Sequence, residues 1–420
     1  MSISVVIVGC GARGGEVYGR YFHQNGHKVV ALCDTNKEKL NGFAKEFGVE
    51  SADCYSSYDD LFARGKIADV CVVSVFDNDH FDVAMKAMAL GYNLLLEKPV
   101  SGNVKECIAI RDYAQSHNLT VVVCHVMRYT SYYRYLKQKI SEGVLGELMG
   151  IEQTEDVAYW HMAHAFVRGN FRNSNTTSPM ILQKCCHDID LMVWLTDQKP
   201  KLVSSMGGLR YFTSKNAPQG AADRCTHCNV KNCPFNAVNF YLGNFKELQA
   251  QRRPTNVWPY AQLVAEPNEQ KLLEALEKGP WGRCVFKCDN NVVDHQWTLV
   301  QFENGLVGTL TMCGFSADGG RQTHVYGTEG EAYLDEQSRT ITIHRFGEPK
   351  TVVSFDELAT DFSGHGGGDK VMLDEFVQAL GGKTSTNTDI GVSIFSHIMC
   401  YCAEKSRLNH GEVINCADVK

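Results

Sequence analysis

The sequence has no excess of basic charge: 41 Lys and Arg stand against 48 Asp and Glu, for a formal net charge of -7. Without a basic field, nucleic acid is not an expected partner. No apolar run approaches the ~18 residues that a membrane span requires, so no membrane partner is expected either. The first residues, MSISVVIVGCGARGG, lack a basic leader and a small-residue cleavage site, and read as a first β-strand. A disulfide framework is also not expected. The 17 cysteines are an odd number, and several (Cys33, Cys71, Cys124) sit inside apolar strand-like runs, as suits reduced core thiols in a cytoplasmic protein. No internal repeat is evident.

What is present is a chain of 420 residues, 44% hydrophobic and 21% charged, long enough that two domains are expected. Over the first ~125 residues, short apolar runs alternate with helical patterns. Candidate strands are 3–8, 28–33, 69–75, 92–96 and 120–125, with helices at 37–47, 80–90 and 104–116. Strands rich in Val, Leu and Ile without polar alternation suit a parallel sheet covered on both faces. Beyond Tyr129 the pattern changes: a helix at 132–141, an alternating strand at 148–159, a helix near 179–195, then strands at 296–302, 306–312, 323–326, 340–345 and 351–355. Turns such as Glu303-Asn304-Gly305 separate several of them, as hairpins require. The expected fold is an α/β Rossmann domain over residues 1–127 and an α+β domain with an open, mostly antiparallel sheet over 128–420. Residues 207–280 read as an irregular, Cys-containing insertion.

Gly9-Cys10-Gly11-Ala12-Arg13-Gly14 matches G-x-G-x-x-G between a strand and a helix. Gly9 permits the tight turn, Gly11 lets backbone amides approach a pyrophosphate, and Gly14 allows the helix to pack closely on the strand. The N–H groups that open the helix, from Ala12 and Arg13 onward, then face the phosphates. Asp34 closes the second strand 20 residues beyond Gly14, placed to accept bonds from the adenosine ribose and to repel a 2′-phosphate. No Arg follows it, so NAD is expected as cofactor over NADP. Ser74, ending the strand at 69–75, and His80, opening the next helix, are counted with the cofactor site.

Glu97-Lys98-Pro99 follows the fifth strand. Together with the glycine loop, Arg128-Tyr129 and the stretch Lys184 to Asp190, it makes the chain resemble the Gfo/Idh/MocA oxidoreductases, glucose-fructose oxidoreductase and inositol dehydrogenase among them. The resemblance implies two domains, an open sheet that often forms the oligomer interface of a homodimer or homotetramer, and a sugar or polyol substrate. It also implies that Glu97 and Lys98 lie in the cleft, with Lys98 beside the nicotinamide and the substrate hydroxyl. A cation there can orient a hydroxyl and stabilise alkoxide charge.

Gln183-Lys184-Cys185-Cys186-His187-Asp188-Ile189-Asp190 opens an apolar helix. Imidazole titrates nearest physiological pH, so His187 is the expected general base, with Lys98 and Lys184 as electrostatic partners and Asp190 near the substrate. Many relatives place an Asp four residues before this His; here Gln183 stands there, which leaves a standard Asp-His relay open. Tyr159 to Asn170 reads as a strand-to-loop exit whose His161, His164, Arg168 and Asn170 have the chemistry to recognise a polyhydroxylated ring. His161 and His164 as a metal pair is the weaker reading, and core packing a third. Cys225, Cys228 and Cys233 form C-x2-C-x4-C, compatible with structural zinc whose fourth ligand would be Cys185, Cys186 or His227. Segments 288–296 and 365–369 read either as turns and caps or as cleft and lid. The expected activity is hydride transfer between NAD and a secondary hydroxyl of a sugar, glycoside or cyclitol. The alternatives are glycoside cleavage through transient oxidation and elimination, and a non-catalytic NAD-binding regulator.

Overall fold

The computed structural model describes residues 2–264, 266–382 and 386–419. Ser4–Val8 (β1), Lys28–Cys33 (β2), Cys54–Tyr55 (β3), Val70–Val73 (β4), Asn93–Leu96 (β5) and Val121–Val123 (β6) form one sheet in the order β3-β2-β1-β4-β5-β6. Every pairing is parallel. All residues of β4 and β6 are buried, which explains their unbroken Val-rich sequence. Helices Lys37–Phe47 and Val104–Ser116 occupy the residues that periodicity predicts, each opened by an Asn side chain accepting a backbone N–H. The helix expected at 80–90 begins earlier, as Asp77–Ala89. The two-residue β3 is too short for its period to show in sequence.

A second sheet contains Leu148–Ala158 (β7), Pro200–Gly208 (β8), His295–Phe302 (β9), Val307–Ser316 (β10), Gly320–Gly327 (β11), Gly330–Asp335 (β12), Thr340–Arg345 (β13), Thr351–Ser354 (β14) and Ile414–Asn415 (β15). Its order is β14-β13-β12-β11-β7-β10-β9-β8-β15. Only β7 and β10 run parallel; the other neighbours are antiparallel. Strand β9 alternates buried and exposed residues along its length, so one face carries the core and the other meets solvent.

The helix expected near 179–195 is broken. Met180–Gln183 and Cys186–Thr196 (α1) are separate, and Lys184 sits at the break with φ -106°. Residues Cys186 to Val193 of α1 are buried on every side, as befits a helix between two layers. The strand-to-loop exit expected after β7 is helical, running Tyr159–His161 and then Met162–Arg168 with a wider pitch. The insertion is not irregular. It holds helices Ala237–Ala250 (α2) and Glu269–Lys278 (α3) around a small core of Tyr241, Phe245, Tyr260, Leu272, Leu276 and Trp281.

Two later helices, Gly368–Leu380 (α4) and Ile390–Leu408 (α5), close the cleft between the sheets. Helix α5 packs on Val104–Ser116 and β6 on one side and on α1 and β8 on the other. Just before it, Val123 N–H donates to Thr388 O at 2.9 Å, so the chain returns to the edge of the first sheet. All 17 cysteines are unpaired. Among the described residues no helix is long and apolar enough to cross a membrane.

Candidate active site

The glycine loop lies between β1 and β4, where the strand order reverses and open α/β sheets bind their ligands. Gly9 has φ +95°, and a Cβ there would stand 2.4 Å from Ser74 O. A Cβ on Gly14 would lie 1.9 Å from Gly9 O. At Gly11 it would meet nothing within 4 Å, so the space over the first helical turn is open. Two glycines are therefore required by packing, and the third borders the place where a pyrophosphate would reach the amides of Ala12 and Arg13. The Asp34 carboxylate is held at this loop by N–H donation from Cys10 at 2.6 Å and Asn36 at 2.7 Å. Carboxylate oxygens accept more than one bond, which leaves Asp34 able to receive ribose hydroxyls. These residues fit NAD.

Other residues assigned to the cofactor from sequence have internal duties. Ser74 Oγ donates to Gly9 O at 2.8 Å and ties down the loop from beneath. His80 is buried, its ring nitrogens 2.7 Å from Pro99 O and 3.1 Å from Val75 O. Glu97 accepts from Arg13 Nε at 2.7 Å and from the Tyr18 hydroxyl. Burial pushes the Glu97 carboxyl up, but the charges of Arg13 and Lys98 outweigh that and hold it down. Arg13 also pairs with Asp369 at 2.6 Å. The side chains of His80, Glu97 and Arg13 are thus held by partners within the fold.

Lys98 lies two residues beyond β5, and its Nζ donates to Gln183 O at 3.0 Å, across the interval between the sheets. His187, in the first turn of α1, is buried; its Nδ1 has no hydrogen-bond partner among the described residues. Burial, then the Lys98 charge, lowers its basicity well below that of a free imidazole. His187 is therefore uncharged at neutral pH. His125 stands beside it, ring centres 5.9 Å apart, and His365 faces it at 6.0 Å. His365, noted in sequence only as part of a glycine-rich segment, contacts Asp369 at 3.2 Å in the same network as Arg13. The segment thereby joins the glycine loop to the start of α1. Its signal, a His and an Asp flanking three glycines, cannot say which way the loop folds.

Lys184 sits at the break before α1, so no continuous helix sets its direction relative to His187. It pairs with Glu155 of β7 at 2.8 Å. Arg321 bridges Glu155 at 2.7 Å and Asp188 at 2.8 Å, giving a buried Lys-Glu-Arg-Asp chain. Asp188 is pushed up by burial and by the Glu155 charge, against the pull of Arg321. Neither Glu155 nor Arg321 stood out in the sequence, because each looks like an ordinary polar residue of an alternating strand.

The expected substrate set divides. His161 lies by this chain of charges; burial and the Lys184 charge lower it to about 3. His164 is occupied, with Tyr241 OH at 2.6 Å and Gln262 Oε1 at 2.8 Å. Arg168 is buried, donating to Arg283 O and Phe235 O in the insertion. Asn170 is half-buried beyond that helix. Asp190 binds Arg128 bidentately at 2.6 and 2.5 Å and is 1% exposed. His164, Arg168 and Asp190 are therefore engaged by the scaffold. Around residues 288–296, Asp289 pairs with Arg172 and Arg283, and Asp294 accepts N–H bonds from Arg210 and Tyr211: turns, not cleft.

The one described trio of metal-type donors within 4.8 Å of each other is His125, Cys186 and His187; Cys225, Cys228 and Cys233 line a common cavity but stand further apart. Of the suggested fourth ligands, Cys185 caps and Cys186 opens α1, both buried, and His227 pairs with Glu277 at 2.8 Å.

Three buried imidazoles, His125, His187 and His397, are all made less basic, first of all by burial. The unfolded chain takes up protons at these positions below about pH 6.5, and the folded chain does not. Their contribution is complete above that pH and drains away as pH falls, by up to about 1.4 kcal/mol per pH unit for each. Urea midpoints measured from pH 7.5 to 5.5 should fall steadily; a flat profile would show that these rings charge without unfolding.

A Rossmann sheet with its phosphate loop in place defines a dinucleotide-binding protein. Residues 3–125 match the model of the oxidoreductase family with an NAD-binding Rossmann fold, Gfo/Idh/MocA. It is 20% identical over 368 residues to a putative oxidoreductase, YteT, of Bacillus subtilis, covering 83% of this chain and 82% of that one. Inositol 2-dehydrogenase of Ralstonia nicotianae is 27% identical over 198 residues, 47% of this chain and 55% of that protein, so only about half its length is matched. Among solved structures, a levoglucosan dehydrogenase with NADH and levoglucosan superposes with TM-score 0.71 at 15% identity, over 99% of this chain and 100% of that one.

Proposed function

We propose that this chain transfers hydride between NAD and a secondary hydroxyl of a sugar, glycoside or cyclitol. The observation that carries this reading is the uncharged, unpartnered His187 beside Lys98, two residues beyond β5. Polyol-acting relatives and a levoglucosan-bound structural neighbour favour the substrate class. NAD, when bound, supplies the hydride acceptor. Lys98, steadied by the Gln183 carbonyl, orients the substrate oxygen and offsets its growing negative charge. His187 accepts the hydroxyl proton; its lowered basicity keeps it in the accepting form down to acidic pH. Lys184 acts at one remove, by fixing Glu155 and the wall on which His161 lies.

A panel of sugars, cyclitols and glycosides, followed at the nicotinamide band, tests the reading. NADH accumulating with an oxidised sugar supports it. Glycoside cleavage at catalytic NAD would replace it with the elimination reading. NAD binding without any turnover would favour the regulator.

Asp34→Ala should weaken NAD binding by roughly 1–2 kcal/mol, the size of a charge-assisted hydrogen bond, and narrow the preference over NADP. Titration with both nucleotides checks this; equal affinities in the unaltered chain would remove Asp34 from the role.

We also propose two units, 1–127 for the nucleotide and 128–420 for substrate and self-association. Met206, Trp297 and Leu299 are 63%, 50% and 50% exposed on the outer face of the second sheet. A second copy covering that face would account for them. Light scattering should give a dimer or tetramer, and Trp297→Asp with Leu299→Lys a smaller species.

A further inference from the structure

Cys225, Cys228, Cys233 and Cys284 line one small cavity at the root of the insertion, with Val230, Phe235 and Phe286. Fifty residues of chain separate Cys284 from the other three, and two backbone contacts bring it back. Arg224 and Arg283 form an isolated antiparallel bridge, and Cys284 N–H donates to Asp223 O at 2.8 Å. Cys225–His227 is a single tight turn, with Cys228 N–H bonded to Cys225 O at 3.3 Å, so the first two thiols are presented from one knuckle.

A second observation concerns charge. Arg168 is 3% exposed, and its partners among the described residues are the carbonyls of Arg283 and Phe235 and the Sγ of Cys225 at 3.6 Å. None is a carboxylate. A buried guanidinium without a counter-charge is costly, so its surroundings should carry negative charge. Cys225 Sγ, at 3.6 Å, is a group able to supply it.

We infer that Cys225, Cys228, Cys233 and Cys284 form a four-thiolate zinc site, with Arg168 as its buried counter-cation. Four thiolates around Zn²⁺ leave a net charge of about -2, half of which Arg168 offsets while donating to one sulfur, as outer partners of metal ligands do. No three of the four sulfurs stand within 4.8 Å of one another. Tetrahedral Zn–S bonds of ~2.3 Å bring sulfurs to about 3.8 Å, so binding draws the four inward and releases their thiol protons. The effect is structural: the ion fastens both ends of an insertion whose own core is a handful of side chains.

The test is metal analysis of the purified full chain after incubation with zinc and gel filtration, alongside Cys284→Ser and Cys186→Ser. The expected result is about one zinc per chain, lost in Cys284→Ser and kept in Cys186→Ser. In the unaltered chain, cobalt in place of zinc should give a tetrahedral spectrum with sulfur-to-metal charge transfer, which keeps the test valid if Cys284→Ser does not fold. Substoichiometric zinc, zinc retained without Cys284, zinc lost without Cys186, or a cobalt spectrum of nitrogen and oxygen ligands would each overturn the inference.

Discussion

His187→Ala is expected to lower kcat by about 10²–10⁴-fold, the usual worth of a positioned general base, with little change in NAD affinity. The ring is buried and uncharged with an unpartnered Nδ1, so its removal takes away a proton acceptor without breaking a hydrogen bond at that atom. Lys98→Ala should cost a further and overlapping share, about 10²–10³-fold, if it stabilises charge at the substrate oxygen. The two residues serve one oxygen, so the double variant should fall well short of the product of the single losses. Steady-state kinetics on whichever substrate the panel identifies, with NAD binding measured separately, decides the matter. A His187→Ala enzyme retaining more than about a tenth of kcat would assign the proton to another group, His365 first, since its ring lies 6.0 Å away. The acid limb of the pH profile should lie well below the usual imidazole range, because Lys98 and burial both favour the neutral ring.

The largest stability effect is expected at Asp190. Its carboxylate meets Arg128 in two short bonds, both side chains are 1% exposed, and a third Arg128 N–H is held by Asn387 O at 2.7 Å. Removing one partner of a buried pair leaves an uncompensated charge, typically costing 3–5 kcal/mol. Asp190→Ala should therefore lower the denaturation midpoint severely, and replacing both partners, Arg128→Met with Asp190→Leu, should restore part of the loss. If Asp190→Ala lost activity at unchanged stability, Asp190 would return to the substrate site assigned from its sequence position.

The nucleotide half was legible in the sequence because its determinants are local. A strand, three glycines and a helix, with Asp34 twenty residues on, follow one another along the chain and need no distant partner. The same holds for helix Lys37–Phe47, whose Asn36 cap and Gly48 terminus are both neighbours in sequence. The insertion reads as irregular in sequence because helices α2 and α3 each bury only one narrow face, and long turns separate them.

The catalytic side is different. Lys98 and His187 could be named from residue type and family likeness, yet their approach depends on the second sheet and on α5 clamping both layers. Lys184, His164, Arg168 and Asp190 carry the chemistry of a sugar site and are used by the scaffold, because a buried charge or polar ring takes whichever partner packing brings nearest. Sequence alone determined the dinucleotide loop, the acidic residue that closes the second strand beside it and the two-sheet plan, since each is written in neighbouring residues or in a period. Only the tertiary structure decided which charges face one another across the cleft and which are already paired. Those pairings join residues as distant as Arg13 and Asp369, whose separation along the chain carries no trace of their 2.6 Å contact.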